Sequence, residues 1–291
     1  MTCNCCESGD ATVLYEAGKA QRHRIVRCNQ CDLMYADPIL QLEYGTEENF
    51  DVTVNLEEIH DASVVQRIEK ERLQVIDYYK TRNLINSIRP ERGFLLEIGS
   101  GFGFLLSKFQ NDGWDVRGID PYAAACSYAK ERNGVTADIG TLETLHVASD
   151  SVDVVIMNHV IEHVPDPVAT LKEIYRITKP GGLFVMETPT YDTLMFKLLG
   201  RRERSLSCDG HIFFFTTKSL RNIYEKVGFR FIDLKYTGRS LTLNRLAHNV
   251  GIMSKSKNIK NFLNSISRKM KLNNVKIYLN MRDMQRVCVE K

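Results

Sequence analysis

The stretch LLEIGSGFGFLL, residues 95–106, decides the fold. A short apolar run carries Glu97 near its end, and glycines follow at alternate positions, Gly99, Gly101 and Gly103. Glycine at this spacing lets a turn pass close beneath a ligand, at positive φ where the turn requires it. Two common phosphate-binding patterns are excluded. The dinucleotide fingerprint G-x-G-x-x-G needs its third glycine at position 104, where Phe104 stands. The phosphate loop G-x-x-x-x-G-K-S/T does not occur in the chain.

Downstream of this stretch, strand and helix patterns alternate. FLLEIG reads as a strand, 102–111 as a helix, WDVRGID as a strand, 121–132 as a helix and GVTAD as a short strand. VDVVIMN then reads as a strand, 167–178 as a helix and LFVMETP as a strand. Apolar strands separated by helices predict a parallel sheet covered on both faces. Asp166 and Pro167 suit the N-cap and first position of the 167–178 helix, and KPGG at 179–182 stops it. Asp120 closes the second strand, where an open α/β sheet binds its ligand and where a carboxylate can accept both hydroxyls of a ribose. ADIGTLETL follows the third strand and can wrap a purine ring.

Past position 189 the pattern loosens into HIFFFT, a helix over 217–227 and FRFIDLKYTG. Residues 241–275 read as helical and basic, and VKIYLNMRDMQRVCVE reads as one last long strand. Within 255–271, Ile259, Phe262, Leu263, Ile266 and Met270 share one helical face, expected to pack on the sheet, with an anionic membrane surface as the alternative. Upstream, 1–38 is cysteine-rich with strand-like ATVLYE and HRIVRC, and 39–60 is an acidic linker. Residues 61–88 show helical spacing at Val64, Ile68, Val75, Tyr78, Tyr79 and Leu84, ended by Pro90.

The chain has 291 residues, 43% hydrophobic and 26% charged, an ordinary soluble composition. A net charge of +3 is too small to argue for nucleic acid. No stretch reaches the roughly 18 apolar residues of a transmembrane helix. The N-terminus MTCNCCESGD lacks a basic start and an apolar core, so no signal peptide is expected. Eight cysteines in such a chain point to metal or thiol rather than disulfides, and to the cytoplasm.

Taken in order, LLEIGSGFGFLL, VRGIDP, ADIGTLETL, VVIMNHVIEHVPDP and ITKPGGLFVMETP resemble the class I S-adenosylmethionine-dependent methyltransferases, over about 90–240. The resemblance implies an α/β, Rossmann-like seven-stranded sheet whose last strand is antiparallel. It implies that Glu97, Gly99, Gly101 and Gly103 hold the methionine end of S-adenosylmethionine. Asp120 would hold the ribose, Thr141 and Leu142 the adenine side, and Asn158 the floor.

CNCC at 3–6 and CNQC at 28–31 give C-x-x-C twice. Cys3, Cys6, Cys28 and Cys31 can make a tetrahedral thiolate site for zinc, closed to substrate and therefore structural. Cys5 is an extra candidate. A similar ribbon precedes a subset of these methyltransferases, several of which act on sugars, glycans or related metabolites. Glycine often follows each second cysteine there; here Glu7 and Asp32 do. The expected organisation is a zinc ribbon at 1–38, a linker and helix at 39–90, and a methyltransferase domain at 91–291 with a helical insertion near 241–275. Cys126, Cys208 and Cys288 are expected to be buried apolar residues.

Methyl transfer asks the protein to align a nucleophile with an activated carbon. A sugar hydroxyl is a poor nucleophile, which a base titrating near neutral pH would help, and histidine fits. His163 in NHVIEHV and His211 in CDGHIFFFTTKSL are the candidates; His159 and Glu162 are read as structural or orienting. Phe213, Phe214 and Phe215 are read as core, and the basic cluster GRRERS at 200–205 as a loop that could meet a phosphate. The expected reaction is O-methylation of a small-molecule or glycan acceptor. The alternative is an RNA methyltransferase whose ribbon grips RNA, which would show steep salt dependence.

Overall fold

The computed structural model describes residues 2–18, 23–39, 62–75, 77–202, 206, 210–242 and 276–291. The N-terminal unit carries β1 (Ala11–Tyr15), β2 (Arg24–Cys28) and β3 (Met34–Asp37). Helices α1 (Ala62–Gln74) and α2 (Tyr79–Ile88) lead into β4 (Phe94–Ile98), α3 (Phe104–Asn111), β5 (Asp115–Asp120), α4 (Ala123–Asn133) and β6 (Ala137–Ile139). Then come β7 (Val152–Asn158), α5 (Pro167–Ile177), β8 (Thr178–Pro189), α6 (Leu194–Leu199), β9 (Phe213–Phe214), α7 (Thr217–Val227), β10 (Arg230–Thr242) and β11 (Lys276–Glu290).

Seven strands form one sheet in the order β10-β11-β8-β7-β4-β5-β6. The pairings of β4, β5, β6, β7 and β8 are parallel; β11 runs antiparallel to both β8 and β10. This is the α/β sheet expected from the alternation, with the last strand reversed. Side chains alternate between its faces with the period of two that a strand imposes. Leu96, Val155, Met157, Phe184, Met186 and Val287 join one buried cluster with α5 and α7. Leu95, Val154, Ile156, Leu183, Val185 and Cys288 join another with α2, α3 and α4. Both faces are covered, which is why these strands read as unbroken apolar runs.

Helix α5 starts as expected: Asp166 Oδ1 accepts from the Ala169 N–H at 2.9 Å, and Pro167 follows it. The single helix expected over 61–88 is two. Its break at 75–78 lets Asp77 accept from the Ser240 N–H at 2.7 Å and from the Ser240 hydroxyl at 2.5 Å, tying this connection to β10. Strand β8 begins at Thr178, so KPGG lies inside the strand rather than in a loop, with a register irregularity opposite Val152–Val154. Strand β10 runs to Thr242, beyond the expected start of the helical insertion. The rest of that insertion, including the 255–271 face, lies outside the described residues, as does Cys208. Cys126 and Cys288 are buried, as are Phe213, Phe214 and Phe215.

A second sheet has the order β1-β2-β3-β9. The aromatic run therefore supplies the outer strand of the N-terminal unit, with Met34 opposite Phe214 and Tyr35 opposite Phe213. The Ala36 N–H also donates to the Ile212 carbonyl at 2.8 Å. The side chains of Phe213 and Phe215 join the core that holds Cys3, Cys28 and Cys31, whereas Phe214 packs on the opposite face with Ile25 and Tyr191.

Candidate active site

The strand order reverses between β4 and β7, and the ends of these strands carry the expected cofactor residues. Gly99, Gly101 and Gly103 have φ of +72°, +51° and +74°, in the left-handed region that disfavours side chains. Space is also lacking. A Cβ on Gly99 would come within 2.2 Å of Val160 Cγ2, and one on Gly103 within 2.6 Å of Val135 Cγ2. Gly103 opens α3. Gly103→Ala is expected to lower stability by about 1–3 kcal/mol, from left-handed strain and crowding against α4. Urea unfolding of wild type and variant checks this.

Asp120 fastens the glycine turn. Its Oδ2 accepts from the Gly101 N–H at 2.8 Å and its Oδ1 from the Tyr122 N–H at 2.9 Å. Burial pushes its carboxyl above the ordinary range, against the pull of those two N–H groups and of Arg67. Burial raises Glu97 well above the usual value, and the charges of Glu71 and Asp120 add to that. Glu97 Oε2 has no hydrogen-bond partner. Neither Oδ1 nor Nδ2 of Asn158, at the end of β7, has one. Three polar atoms buried without partners at one edge of the sheet mark a place built to receive a polar ligand. The Gly140 N–H donates to the Asp120 carbonyl at 3.1 Å, which brings the Thr141–Leu142 turn beside this edge. Leu142 is buried, and the Thr141 N–H bonds Thr144 Oγ1 at 3.0 Å.

Glu71 was not expected from sequence. It lies on α1, and its Oε2 accepts from the Phe102 N–H at 3.0 Å; a Cβ on Gly101 would meet that oxygen at 2.4 Å. A glutamate on the solvent side of an amphipathic pattern gives no sign that it reaches back over a turn about thirty residues on.

The histidines gather where β7 and β8 end. His163 and His211 lie edge to face with ring centroids 4.7 Å apart. His163 Nδ1 is 2.9 Å from the Gly210 carbonyl, which accepts its proton. Glu162 is buried next to them. Its Oε2 accepts from the Thr188 hydroxyl at 3.0 Å, and its Oε1 is 3.6 Å from His159 Nδ1. Burial raises its carboxyl most, but the combined pull of His159, His163 and His211 leaves it below the ordinary range. The Glu162 carbonyl accepts from the N–H groups of Ile212 at 2.8 Å and Phe213 at 3.2 Å. The loop after β7 and the strand β9 are thus bonded together, which seats His211 beside His163. His159 has φ of +57°, and its N–H bonds the Glu187 carbonyl at 2.8 Å. Of the basic cluster at 200–205, Arg201 bonds the Glu16 carbonyl at 2.9 Å and stacks over Tyr15, so it serves the N-terminal unit. Residues 203–205 lie outside the described residues.

In the N-terminal unit the sulfurs of Cys3, Cys6, Cys28 and Cys31 all lie within 4.8 Å of one another. Cys3 and Cys31 are 3.5 Å apart, and Cys6 and Cys28 are 3.4 Å apart. Tetrahedral zinc with bonds near 2.3 Å sets sulfurs about 3.8 Å apart, so the group fits that metal. Cys5 is not among the four; it is buried, and its carbonyl accepts from Lys226 Nζ at 2.8 Å. Glu7 and Asp32, which stand where similar ribbons often carry glycine, adopt left-handed φ of +63° and +64°. Bonds from Lys218 at 2.6 Å and Arg27 at 2.8 Å to the Asp32 carboxylate help hold its turn.

Comparison with known proteins agrees with this arrangement. Residues 69–234, more than half of the chain, match the family described as Methyltransferase domain. The chain belongs to that family, and its sheet is that of the class I S-adenosylmethionine-dependent methyltransferases. It is 39% identical over 99 residues to a ubiquinone biosynthesis O-methyltransferase of Cereibacter sphaeroides, a match covering 32% of this chain and 40% of that protein. It is 33% identical over 102 residues to an uncharacterized methyltransferase of Mycobacterium leprae, covering 33% and 37%. The chain therefore spans about two fifths of the length of the curated relatives it matches. Among solved structures, a Thermotoga maritima S-adenosylmethionine-dependent methyltransferase, described as a possible histamine N-methyltransferase, superposes with a TM-score of 0.51 at 21% identity. That match covers 79% of this chain and 97% of the other, and it shows the fold alone. Among the described residues no helix is long and apolar enough to cross a membrane.

Proposed function

We propose that the chain transfers a methyl group from S-adenosylmethionine to a hydroxyl of a small-molecule acceptor, a sugar, glycan or related metabolite. The observation that carries this reading is the set of buried, unpartnered atoms on Glu97 and Asn158 near the carboxyl ends of β4 and β7, with the loop that follows β7 carrying His163 packed on His211. Glu97, Gly99, Gly101 and Gly103 hold the methionine end of the cofactor, Asp120 the ribose, Thr141 and Leu142 the adenine, and Asn158 the floor. The acceptor oxygen attacks the methyl carbon, the carbon–sulfur bond breaks, and its electron pair stays on sulfur as S-adenosylhomocysteine forms. A histidine of the group at the mouth takes the hydroxyl proton, so the charge left on the acceptor never has to build up unshielded. The name of the Cereibacter sphaeroides relative, an O-methyltransferase, supports oxygen as the atom methylated. The fit of the four cysteines supports zinc in the N-terminal unit, in a reducing compartment where thiols stay unpaired.

The test is release of S-adenosylhomocysteine by the purified protein against cell extract split into RNA, glycan with lipid, and small-metabolite fractions. Release confined to the glycan or metabolite fractions is expected. Release confined to RNA, and abolished by ribonuclease, would overturn the acceptor class.

A further inference from the structure

We infer that His159 is the base that takes the acceptor proton, and that Glu162 is the residue that positions it. The inference rests on the methyl-transfer reading and selects one histidine of the three around this loop. It is the one that the sequence pattern reads as structural.

The backbone gives the first reason. His159 directly follows Asn158, the last residue of β7, and an open α/β sheet binds its ligand beyond the carboxyl ends of its strands. Its φ of +57° lies in the left-handed region, which costs a residue with a side chain and is met more easily by glycine or asparagine. The shape of the turn therefore does not explain the imidazole. Such strain persists where the surroundings enforce it, and it clusters at functional sites. Here the His159 N–H is held by the Glu187 carbonyl at 2.8 Å.

The second reason is the carboxylate behind the ring. His159 Nδ1 stands 3.6 Å from Glu162 Oε1, an ion-pair distance. The Glu162 side chain is 2% exposed, whereas that of His159 is 33% exposed. The Thr188 hydroxyl holds the other oxygen of Glu162 at 3.0 Å, so the carboxylate stays in place. A buried carboxylate behind Nδ1–H fixes the tautomer and orientation of an imidazole and supports the charge it gains, and Nε2 is then the nitrogen that takes a proton.

Glu187 adds to this from the other face of the sheet. It follows Thr81 rather than Thr188: the Thr81 hydroxyl on α2 donates to Glu187 Oε1 at 2.9 Å. Burial pushes the carboxyls of Glu162 and Glu187 up, and positive charge on His159 opposes that push in both. His159 thus has a buried carboxylate from its own loop and one from β8, with His163 and His211 also acting on Glu162. His163 is engaged differently, since its Nδ1–H goes to the Gly210 carbonyl and its ring packs on His211.

In the reaction the acceptor hydroxyl gives its proton to His159 Nε2 while its oxygen bonds to the methyl carbon. The carbon–sulfur bond breaks, and its electron pair stays on sulfur. His159 leaves the step as an imidazolium beside the Glu162 carboxylate and returns the proton to water.

The test uses the full-length protein and the extract fraction on which the wild type releases most S-adenosylhomocysteine. His159→Gly, which suits the left-handed backbone, and His159→Gln are each expected to lower the maximal rate at least 100-fold, the ordinary range for a lost general base. Calorimetric affinity for S-adenosylmethionine within three-fold of wild type shows that the variants are folded. Added imidazole is expected to raise the His159→Gly rate at least ten-fold. Glu162→Gln is expected to move the acidic limb of the rate profile to lower pH, because an imidazole without its buried anion holds a proton less firmly. A rate within three-fold of wild type in both His159 variants, or a larger loss in His163→Gln than in His159→Gln, would overturn the assignment and leave the methyl-transfer reading standing. Loss without imidazole rescue and without a shifted profile in Glu162→Gln would mark a structural role and overturn it equally. No release by the wild type against any fraction would remove the methyl-transfer reading, and the base with it.

Discussion

Asp120→Ala is expected to raise the dissociation constant for S-adenosylmethionine by about 100-fold. The ribose hydroxyls would lose an ionised acceptor, and hydrogen bonds to a charged group contribute about 1.5–3 kcal/mol each. Two such bonds give about 3 kcal/mol or more, and each ~1.4 kcal/mol is ten-fold in affinity. The loss has a second source. Asp120 also accepts from the Gly101 and Tyr122 N–H groups, so its removal frees the glycine turn and leaves those donors without their acceptor. Asparagine would not restore the site, because its amide donates where one of these N–H groups also donates. Calorimetric titration of wild type, Asp120→Ala and Asp120→Asn reads all three. An affinity within three-fold of wild type in the alanine variant would contradict the ribose assignment.

Loss of the thiolate site is expected to have an effect of comparable size, on stability. Structural zinc contributes an apparent ~10–16 kcal/mol at neutral pH, as much as the whole stability of an ordinary domain. In this chain the consequence should spread. Strand β3 of the cysteine unit pairs with β9, and Cys3, Cys28 and Cys31 share a core with Phe213, Leu220 and Tyr224. Cys28→Ser is therefore expected to lower the melting temperature by more than 10 °C, since ~1 kcal/mol moves it roughly 2–4 °C in a domain of 150–250 residues. Metal analysis of the purified wild type should give one zinc per chain. A metal-free protein with the same melting temperature as the variant would remove zinc from the account.

How much of this was legible beforehand follows from the range of each interaction. The sheet was readable because strands buried on both faces leave long apolar runs, and the glycine turn because its residues are adjacent. The four-cysteine set was readable because ligand spacing along a knuckle is short. The helix break between Gln74 and Tyr79 was not, since the bond it serves joins Asp77 to Ser240, far along the chain. Glu71 over the glycine turn was hidden for the same reason. The pairing of Phe213 and Phe214 with β3 could not be read from an aromatic run that fits core equally well. Glu162 was read as orienting, and the structure shows why: it joins three histidines brought together by two separate loops, a convergence that no local pattern encodes.

The most direct single measurement is calorimetric titration of the wild-type protein with S-adenosylmethionine, repeated in excess NAD. One saturable site per chain, unaffected by NAD, is the expected result. It would show that the alternating glycines serve the methyl donor and not a dinucleotide. No saturable binding of S-adenosylmethionine, or its displacement by NAD, would contradict the account at its base.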